Sequence, residues 1–135
     1  MIQGLYAITP SGLEEKDLLS KTEVLLEEGI KLIQYRDKII DKKTFLEKAY
    51  ALLKLTKKYG AKLLINDHVE ICLEIRADGF HLGLEDYSSG ANAELLKNNK
   101  EFISKNLICG LSCKWNKELV VNPPENEIKW TYLAV

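Results

Sequence analysis

The chain lacks the sequence features of a membrane protein and of a nucleic-acid binder. Its 135 residues contain no apolar run that approaches the roughly 20 residues needed to cross a bilayer. The amino terminus has no basic segment followed by a long apolar stretch, so we expect neither a leader peptide nor a membrane partner. The 19 basic and 20 acidic residues nearly balance. No overall positive field therefore attracts nucleic acid, and any anion must be bound locally.

Cysteine and histidine are also scarce. Cys72, Cys109 and Cys113 are odd in number and show no C-x-x-C spacing, which argues against a disulfide framework and against zinc. Reduced thiols are usual in the cytosol, so we expect a cytoplasmic protein. Of the two histidines, His81 lies within an apolar run and is expected to be a hydrogen-bonded core residue, whereas His68 is expected to be exposed. No G-x-G-x-x-G follows the first apolar run, which excludes a dinucleotide-binding fingerprint.

The composition is that of one folded domain over residues 1–135, since 46% of the residues are hydrophobic. Short apolar runs predict strands at 5–9, 31–35, 62–65, 79–83, 107–112 and 130–135. Helices are predicted at 17–28, 41–58, 67–75, 93–98 and, weakly, 115–121, with a loop at 88–90. Strands that alternate with helices predict an α/β fold with a parallel sheet, and the uniformly short strands favour a barrel.

Polar side chains follow three of the predicted strands directly, in the segments 34–38, 66–67 and 85–86. The carboxyl ends of parallel strands meet at one rim, where α/β proteins bind their ligands. Two cations, two carboxylates and two amides are thus expected at one place. This combination predicts a site for a phosphorylated ligand together with a divalent metal.

The charged members of this group suit that chemistry, although each also has a simpler interpretation. Arg36 offers a planar fork and Lys38 a mobile point charge, which together suit a diphosphate. Asp67 and Asp86 supply the hard oxygen ligands that Mg²⁺ prefers. Alternatively, the two cations are solvated loop charges, Asp67 is the N-cap of the next helix, and Asp86 is an ordinary loop residue.

The uncharged candidates are less specific. Gln34 and Asn66 carry amides at the ends of apolar strands, where an amide either braces loops or binds the edge of a ligand. Ser112 ends the fifth predicted strand and is a possible phosphate ligand, but a single serine carries little information.

Taken together, these segments resemble the thiamine-phosphate synthase family. The resemblance rests on L-Y-A-I-T at 5–9, Q-Y-R-D-K at 34–38, I-N-D at 65–67, A-D-G-F-H-L-G followed by E-D at 77–86, and G-L-S-C at 110–113. The match is collinear over essentially the whole chain. Each motif is modest alone, but their common order is specific.

The resemblance implies a (β/α)₈ barrel, which needs roughly 200 residues or more. The 135-residue chain supplies about six strands, so we expect an incomplete TIM-type barrel that lacks the last units. The implied enzyme is a transferase that joins hydroxymethylpyrimidine diphosphate to thiazole phosphate, giving thiamine phosphate and diphosphate. These small molecules are the implied partners, and Mg²⁺ is the implied cofactor.

The resemblance also implies roles for individual residues. Asp67 and Asp86 would hold the metal, and Lys38 and Ser112 would be catalytic. The implied substrate-binding residues are Gln34, Arg36, Lys38, Asn66 and Ser112.

Other interpretations stay open at this level. Related thiazole tautomerases carry a histidine where this chain has Lys114, which favours a synthase over a tautomerase. A half-barrel that binds a pyrimidine phosphate without turnover is a further alternative. An open six-stranded sheet would also have two unpaired edges, and we therefore expect a homo-oligomer.

Overall fold

The structure is a computed structural model that describes residues 2–88, 90–123 and 128–135. Six strands form one sheet: β1 (Tyr6–Ile8), β2 (Leu32–Tyr35), β3 (Lys62–Asn66), β4 (Gly79–Leu82), β5 (Ile108–Ser112) and β6 (Tyr132–Ala134). The strands lie in sequence order, and every neighbouring pair is parallel. The prediction of an α/β fold with a parallel sheet is confirmed.

Helices follow each of the first five strands. They are α1 (Glu15–Glu27), α2 (Lys42–Lys58), α3 (Val69–Ile75), α4 (Leu84–Ser88), α5 (Gly90–Asn98), α6 (Lys100–Asn106) and α7 (Lys117–Val121). Within the described ranges, no helix combines the length and the apolar character that crossing a membrane requires.

Helix α2 shows how local sequence and packing agree. Asp41 caps its first turn by accepting a hydrogen bond from the Thr44 backbone N–H at 3.0 Å. Its inner face buries Phe45 and Leu52 against the sheet, and Phe45 stacks on Tyr35 of β2 with ring centroids 4.3 Å apart. Burial of each such side chain stabilises the fold by about 1.5–3 kcal/mol.

The segment between β4 and β5 is more helical than predicted. The loop prediction at 88–90 was wrong for its two described residues, since Ser88 ends α4 and Gly90 begins α5, while Ser89 lies outside the described residues. Helix α6 was not predicted, because only its Ile103 is buried and the adjacent Phe102 is exposed, so the segment has no apolar stripe at helical spacing.

Two helices begin later than predicted, for reasons of backbone conformation. Lys114 and Trp115 have positive φ angles of 47° and 60°, so α7 begins only at Lys117. Asp67 also has a positive φ, of 66°, and its N–H donates to the His81 carbonyl at 3.0 Å. The N-cap interpretation of Asp67 was therefore wrong: His68 occupies that position and makes no side-chain cap.

The sheet is strongly curved. Among the described strands, β1 and β6 are the two edges, yet their tyrosines Tyr6 and Tyr132 meet with hydroxyl oxygens 2.6 Å apart. Parallel pairing also sets the ends of the strands at one level, since Asn66 pairs with His81 and Ser112 with Ala134. The carboxyl ends of the strands thus share one rim of a curved half-barrel.

Candidate active site

A cavity of about 420 Å³ opens at the carboxyl rim of the sheet. It is lined by the loops that follow β2 and β3 and by residues of helices α3, α4 and α5. Three of the predicted site residues, Lys38, Asp67 and Asp86, contribute to its wall. The structure therefore brings together the lysine and both carboxylates that the sequence predicted to converge.

Lys38 and Asp67 form an ion pair between the two loops. The Lys38 Nζ donates directly to Asp67 Oδ2. The lysine side chain is 44% exposed and the aspartate side chain 16% exposed, so the pair stands at the boundary between solvent and cavity. An incoming phosphate would meet the ammonium group already in place, and an incoming cation would meet the carboxylate.

Asp67 and Asp86 are close enough to influence each other. Burial raises the pKa of the Asp86 carboxyl, and the hydrogen bond and negative charge of Asp67 raise that pKa further, whereas Lys38 lowers it. A divalent cation between two such carboxylates would remove their repulsion, so the donor set fits Mg²⁺. The described residues contain no cluster of three or more acidic, histidine or cysteine side chains that could hold a metal. Water and substrate oxygens would therefore complete the coordination.

Asn92 of α5 is a functional candidate that the sequence analysis missed. Its Nδ2 donates to the backbone carbonyls of Asp67 at 3.0 Å and of Asp86 at 2.9 Å. The residue is 8% exposed, and one turn later Leu96 is also buried. Asn92 therefore ties the two carboxylate-bearing segments together. The only signal in the sequence was a polar residue on the apolar face of a helix.

Arg36 stands apart from this cluster. Its side chain is exposed, and it is not among the described residues that line the cavity. Its backbone N–H donates to Thr9 Oγ1 at 3.0 Å. The buried residue of this loop is Asp37, whose carboxylate accepts from the Gly12 and Ile39 backbone N–H groups at 3.1 and 3.2 Å. Asp37 thus braces the loop that presents Lys38.

A continuous chain of hydrogen-bonded side chains crosses the interior of the sheet below the rim. Gln34 Nε2 lies 2.6 Å from Tyr6 Oη, and Tyr6 Oη lies 2.6 Å from Tyr132 Oη. Tyr132 Oη lies 2.7 Å from His81 Nδ1, and His81 Nε2 lies 2.7 Å from Ser112 Oγ. These hydrogen bonds therefore connect Gln34 with Ser112, two residues predicted to bind substrate.

His81 is buried, as predicted, with 7% of its surface exposed. Burial lowers the pKa of the imidazole, although the negative charge of Asp67 opposes this. The ring is therefore neutral at pH 7, with one nitrogen donating and the other accepting. Asn66, at the end of β3, is buried as well, as expected for an amide at a strand end.

Gly110 provides the room for this chain. A Cβ added at Gly110 would lie 2.6 Å from His81 Nδ1 and closer still to the ring and hydroxyl of Tyr132. A side chain at this position would occupy the place where the tyrosine and the histidine meet. The glycine of the G-L-S motif is thus explained by packing in the barrel interior.

Comparison with known proteins identifies the family of the chain. The family described as thiamine monophosphate synthase matches residues 5–135 of the chain. The protein is therefore a member of the thiamine monophosphate synthase family.

The sequences of individual relatives support the same family. A thiamine-phosphate synthase of Nitrosospira multiformis is 44% identical over 85 residues, which are 63% of this chain and 36% of the relative. One from a Janthinobacterium species is 38% identical over 112 residues, which are 83% of this chain and 51% of the relative.

A solved structure, thiamine phosphate pyrophosphorylase from Pyrococcus furiosus, superposes with a TM-score of 0.62 at 32% identity and covers 79% of this chain and 48% of that one. The α/β half-barrel therefore matches about half of that structure. The chain spans about half the length of the relatives it matches, or less.

Proposed function

We propose that the chain carries the diphosphate-binding part of a thiamine-phosphate synthase and acts as a transferase of that type. The reaction joins hydroxymethylpyrimidine diphosphate to thiazole phosphate and releases diphosphate. The observation that carries this proposal is the meeting of Lys38, Asp67 and Asp86 in one cavity at the carboxyl rim. Family membership supports the substrate class.

The charged residues would act on the diphosphate. Lys38 would bind its oxygens and stabilise the negative charge that grows as the carbon–oxygen bond breaks. Arg36, exposed on the same loop, would bind the diphosphate from the solvent side. Asp67 and Asp86 would hold Mg²⁺, which when bound supplies Lewis-acid stabilisation of the leaving group.

The uncharged residues would position the pyrimidine. Gln34 and Asn66 lie at neighbouring strand ends and would bind the edge of its ring through their amides. Ser112 would contact the reacting groups from β5. Departure of diphosphate would leave a pyrimidine cation that the thiazole nitrogen attacks. That nitrogen is already nucleophilic, so this scheme requires no general base.

We also propose that the chain works as one domain in the cytoplasm and as a homo-oligomer. The three cysteines are free and buried, as suits a reducing compartment. At the β1 edge, Leu5 and Ile8 are 75% and 55% exposed, which favours pairing with a second copy. Light scattering tests this assembly, and a monodisperse monomer would contradict it.

The decisive experiment is thiamine phosphate formation by the purified chain with both substrates and Mg²⁺. We expect product that disappears in Asp67→Ala and persists in the control Glu47→Ala, which removes an exposed carboxylate on the outer side of α2. Absence of product from the unmodified chain would contradict the catalytic proposal. Calorimetric binding of the pyrimidine diphosphate in that case would support a binding role without turnover.

A further inference from the structure

The hydrogen-bonded chain of side chains has a direction, which Gln34 sets. Gln34 Nε2 carries hydrogens and accepts none, so it can only donate to Tyr6 Oη, 2.6 Å away. The single hydroxyl hydrogen of Tyr6 is then left for its other neighbour, Tyr132 Oη, at 2.6 Å. Each hydroxyl along the chain accepts from one side and donates to the other.

The same reasoning continues through the histidine. Tyr132 accepts from Tyr6, so its own hydroxyl hydrogen is left for His81 Nδ1, at 2.7 Å. A neutral imidazole whose Nδ1 accepts carries its hydrogen on Nε2. That hydrogen points at Ser112 Oγ, at 2.7 Å, so the serine oxygen is an acceptor within the chain.

The direction of these hydrogen bonds matters because the side chains at Gln34 and His81 are buried. Gln34 is 2% exposed and His81 7% exposed, so water cannot readily replace a lost partner. Reversing one hydrogen bond would place two donors or two acceptors face to face at the next contact. With every hydroxyl hydrogen paired, these hydrogen bonds have two complete directions, and the amide of Gln34 at one end selects between them.

We propose that Tyr6 and Tyr132 are positioning residues that fix His81 as its Nε2–H tautomer and so turn the hydroxyl hydrogen of Ser112 towards the rim. Ser112 then donates a hydrogen bond to the ligand, to a phosphate oxygen or a ring nitrogen, and His81 does not activate it as a nucleophile. The tautomer follows from the hydrogen-bond geometry alone, whereas the contact of Ser112 with substrate rests on the proposed function.

Nitrogen-15 NMR of the imidazole rings tests this inference without any need for turnover. The protein has two histidines, so a sample labelled with nitrogen-15 in histidine gives the signals of two imidazole rings. The variant His68→Asn assigns them. At slightly alkaline pH we expect the His81 Nδ1 resonance in the unprotonated range and its Nε2 resonance in the protonated range. The opposite pattern in the unmodified protein would overturn the proposal.

Two variants test which residues set the direction. Tyr132→Phe removes the hydroxyl that donates to Nδ1, and the His81 resonances should move towards a mixture of both tautomers. Gln34→Glu replaces the donor with a group that only accepts. This change reverses the direction of the hydrogen bonds and should give the Nδ1–H tautomer of His81. Unchanged His81 resonances in both variants would refute the positioning role.

Tyr35→Phe is the matched control, since Tyr35 also lies on β2 and its buried hydroxyl has no hydrogen-bond partner among the described residues. This variant should leave the His81 resonances unchanged. The result is separate from the activity assay: an Nε2–H tautomer without product formation would uphold the directed chain and reject the synthase proposal.

Discussion

The hydroxyl oxygens of Tyr6 and Tyr132 lie 2.6 Å apart although the two residues are 126 positions apart in sequence. Their rings also meet edge to face, with centroids 5.6 Å apart. The two residues belong to β1 and β6, the edge strands of the described sheet. The contact therefore links the edges through the interior and depends on the curvature of all six strands.

A double-mutant cycle measures this link. Tyr6→Phe and Tyr132→Phe should each lower the free energy of unfolding, because each removes a partly buried hydrogen-bonding group. The two losses should be non-additive by about 0.5–1.5 kcal/mol, the usual net contribution of one hydrogen bond. Denaturant titration of the four proteins checks this. Tyr6→Phe combined with Tyr35→Phe is the control and should be additive, and additivity in the first pair would contradict a direct coupling.

A methyl group at Gly110 should disrupt the same region. Gly110→Ala places a Cβ where Tyr132 and His81 meet, and such overpacking typically costs about 1–3 kcal/mol. Gly90→Ala is the matched control, since its Cβ would meet nothing within 4 Å and the residue lies in α5. Thermal or denaturant unfolding should show a destabilised Gly110→Ala and a neutral or stabilised Gly90→Ala. Equal stabilities would show that the interior can relax around the added methyl.

Much of this architecture was predictable from the sequence, because short apolar runs that end in polar residues have few other interpretations. Once parallel strands were inferred, the meeting of Lys38, Asp67 and Asp86 followed from the common direction of the strand ends. The Tyr6–Tyr132 contact was not predictable, since it depends on the curvature of the whole sheet.

Local conformation and single polar residues were the other sources of error. The left-handed backbone of Asp67 accompanies its hydrogen bond to the His81 carbonyl, a tertiary contact that no local pattern encodes. Asn92 interrupts an apolar helix face, and its partners are backbone carbonyls, which carry no residue-specific signal. Arg36 was grouped with Lys38 by spacing, by chemistry and by the Q-Y-R-D-K motif, and its binding role stays a prediction. The buried Asp37 between them braces the loop.

The cysteines should be inert in the folded protein. Burial raises the pKa of all three thiols, and that of Cys109 to about 12, so the reactive thiolate is scarce at pH 8. Titration with a colorimetric disulfide reagent should detect all three thiols in denaturant and none rapidly in native buffer. A thiol that reacts at once in native buffer would contradict the observed burial.

The Lys38–Asp67 ion pair should compete with metal binding. Lys38→Met frees the carboxylate and removes a nearby positive charge, so we expect Mg²⁺ affinity to rise about 1.4-fold to fivefold, given the ~0.2–1 kcal/mol of an exposed pair. Asp67→Asn should lower that affinity. Isothermal titration calorimetry with Mg²⁺ alone measures both effects. Lys58→Met, which breaks the remote pair with Glu23 at 3.0 Å, is the control and should change nothing.

Asn92 should affect both stability and the metal site, because it holds the backbone of both carboxylate residues. Asn92→Ala leaves the Asp67 and Asp86 carbonyls without this donor, which should cost about 1–3 kcal/mol of unfolding free energy. It should also weaken Mg²⁺ binding, since the two segments are no longer tied together. Asn106→Ala is the matched control: its Nδ2 donates to the Phe102 carbonyl at 2.9 Å, but at an exposed position. Destabilisation of Asn92→Ala with unchanged Mg²⁺ affinity would show that Asn92 supports the fold and not the site.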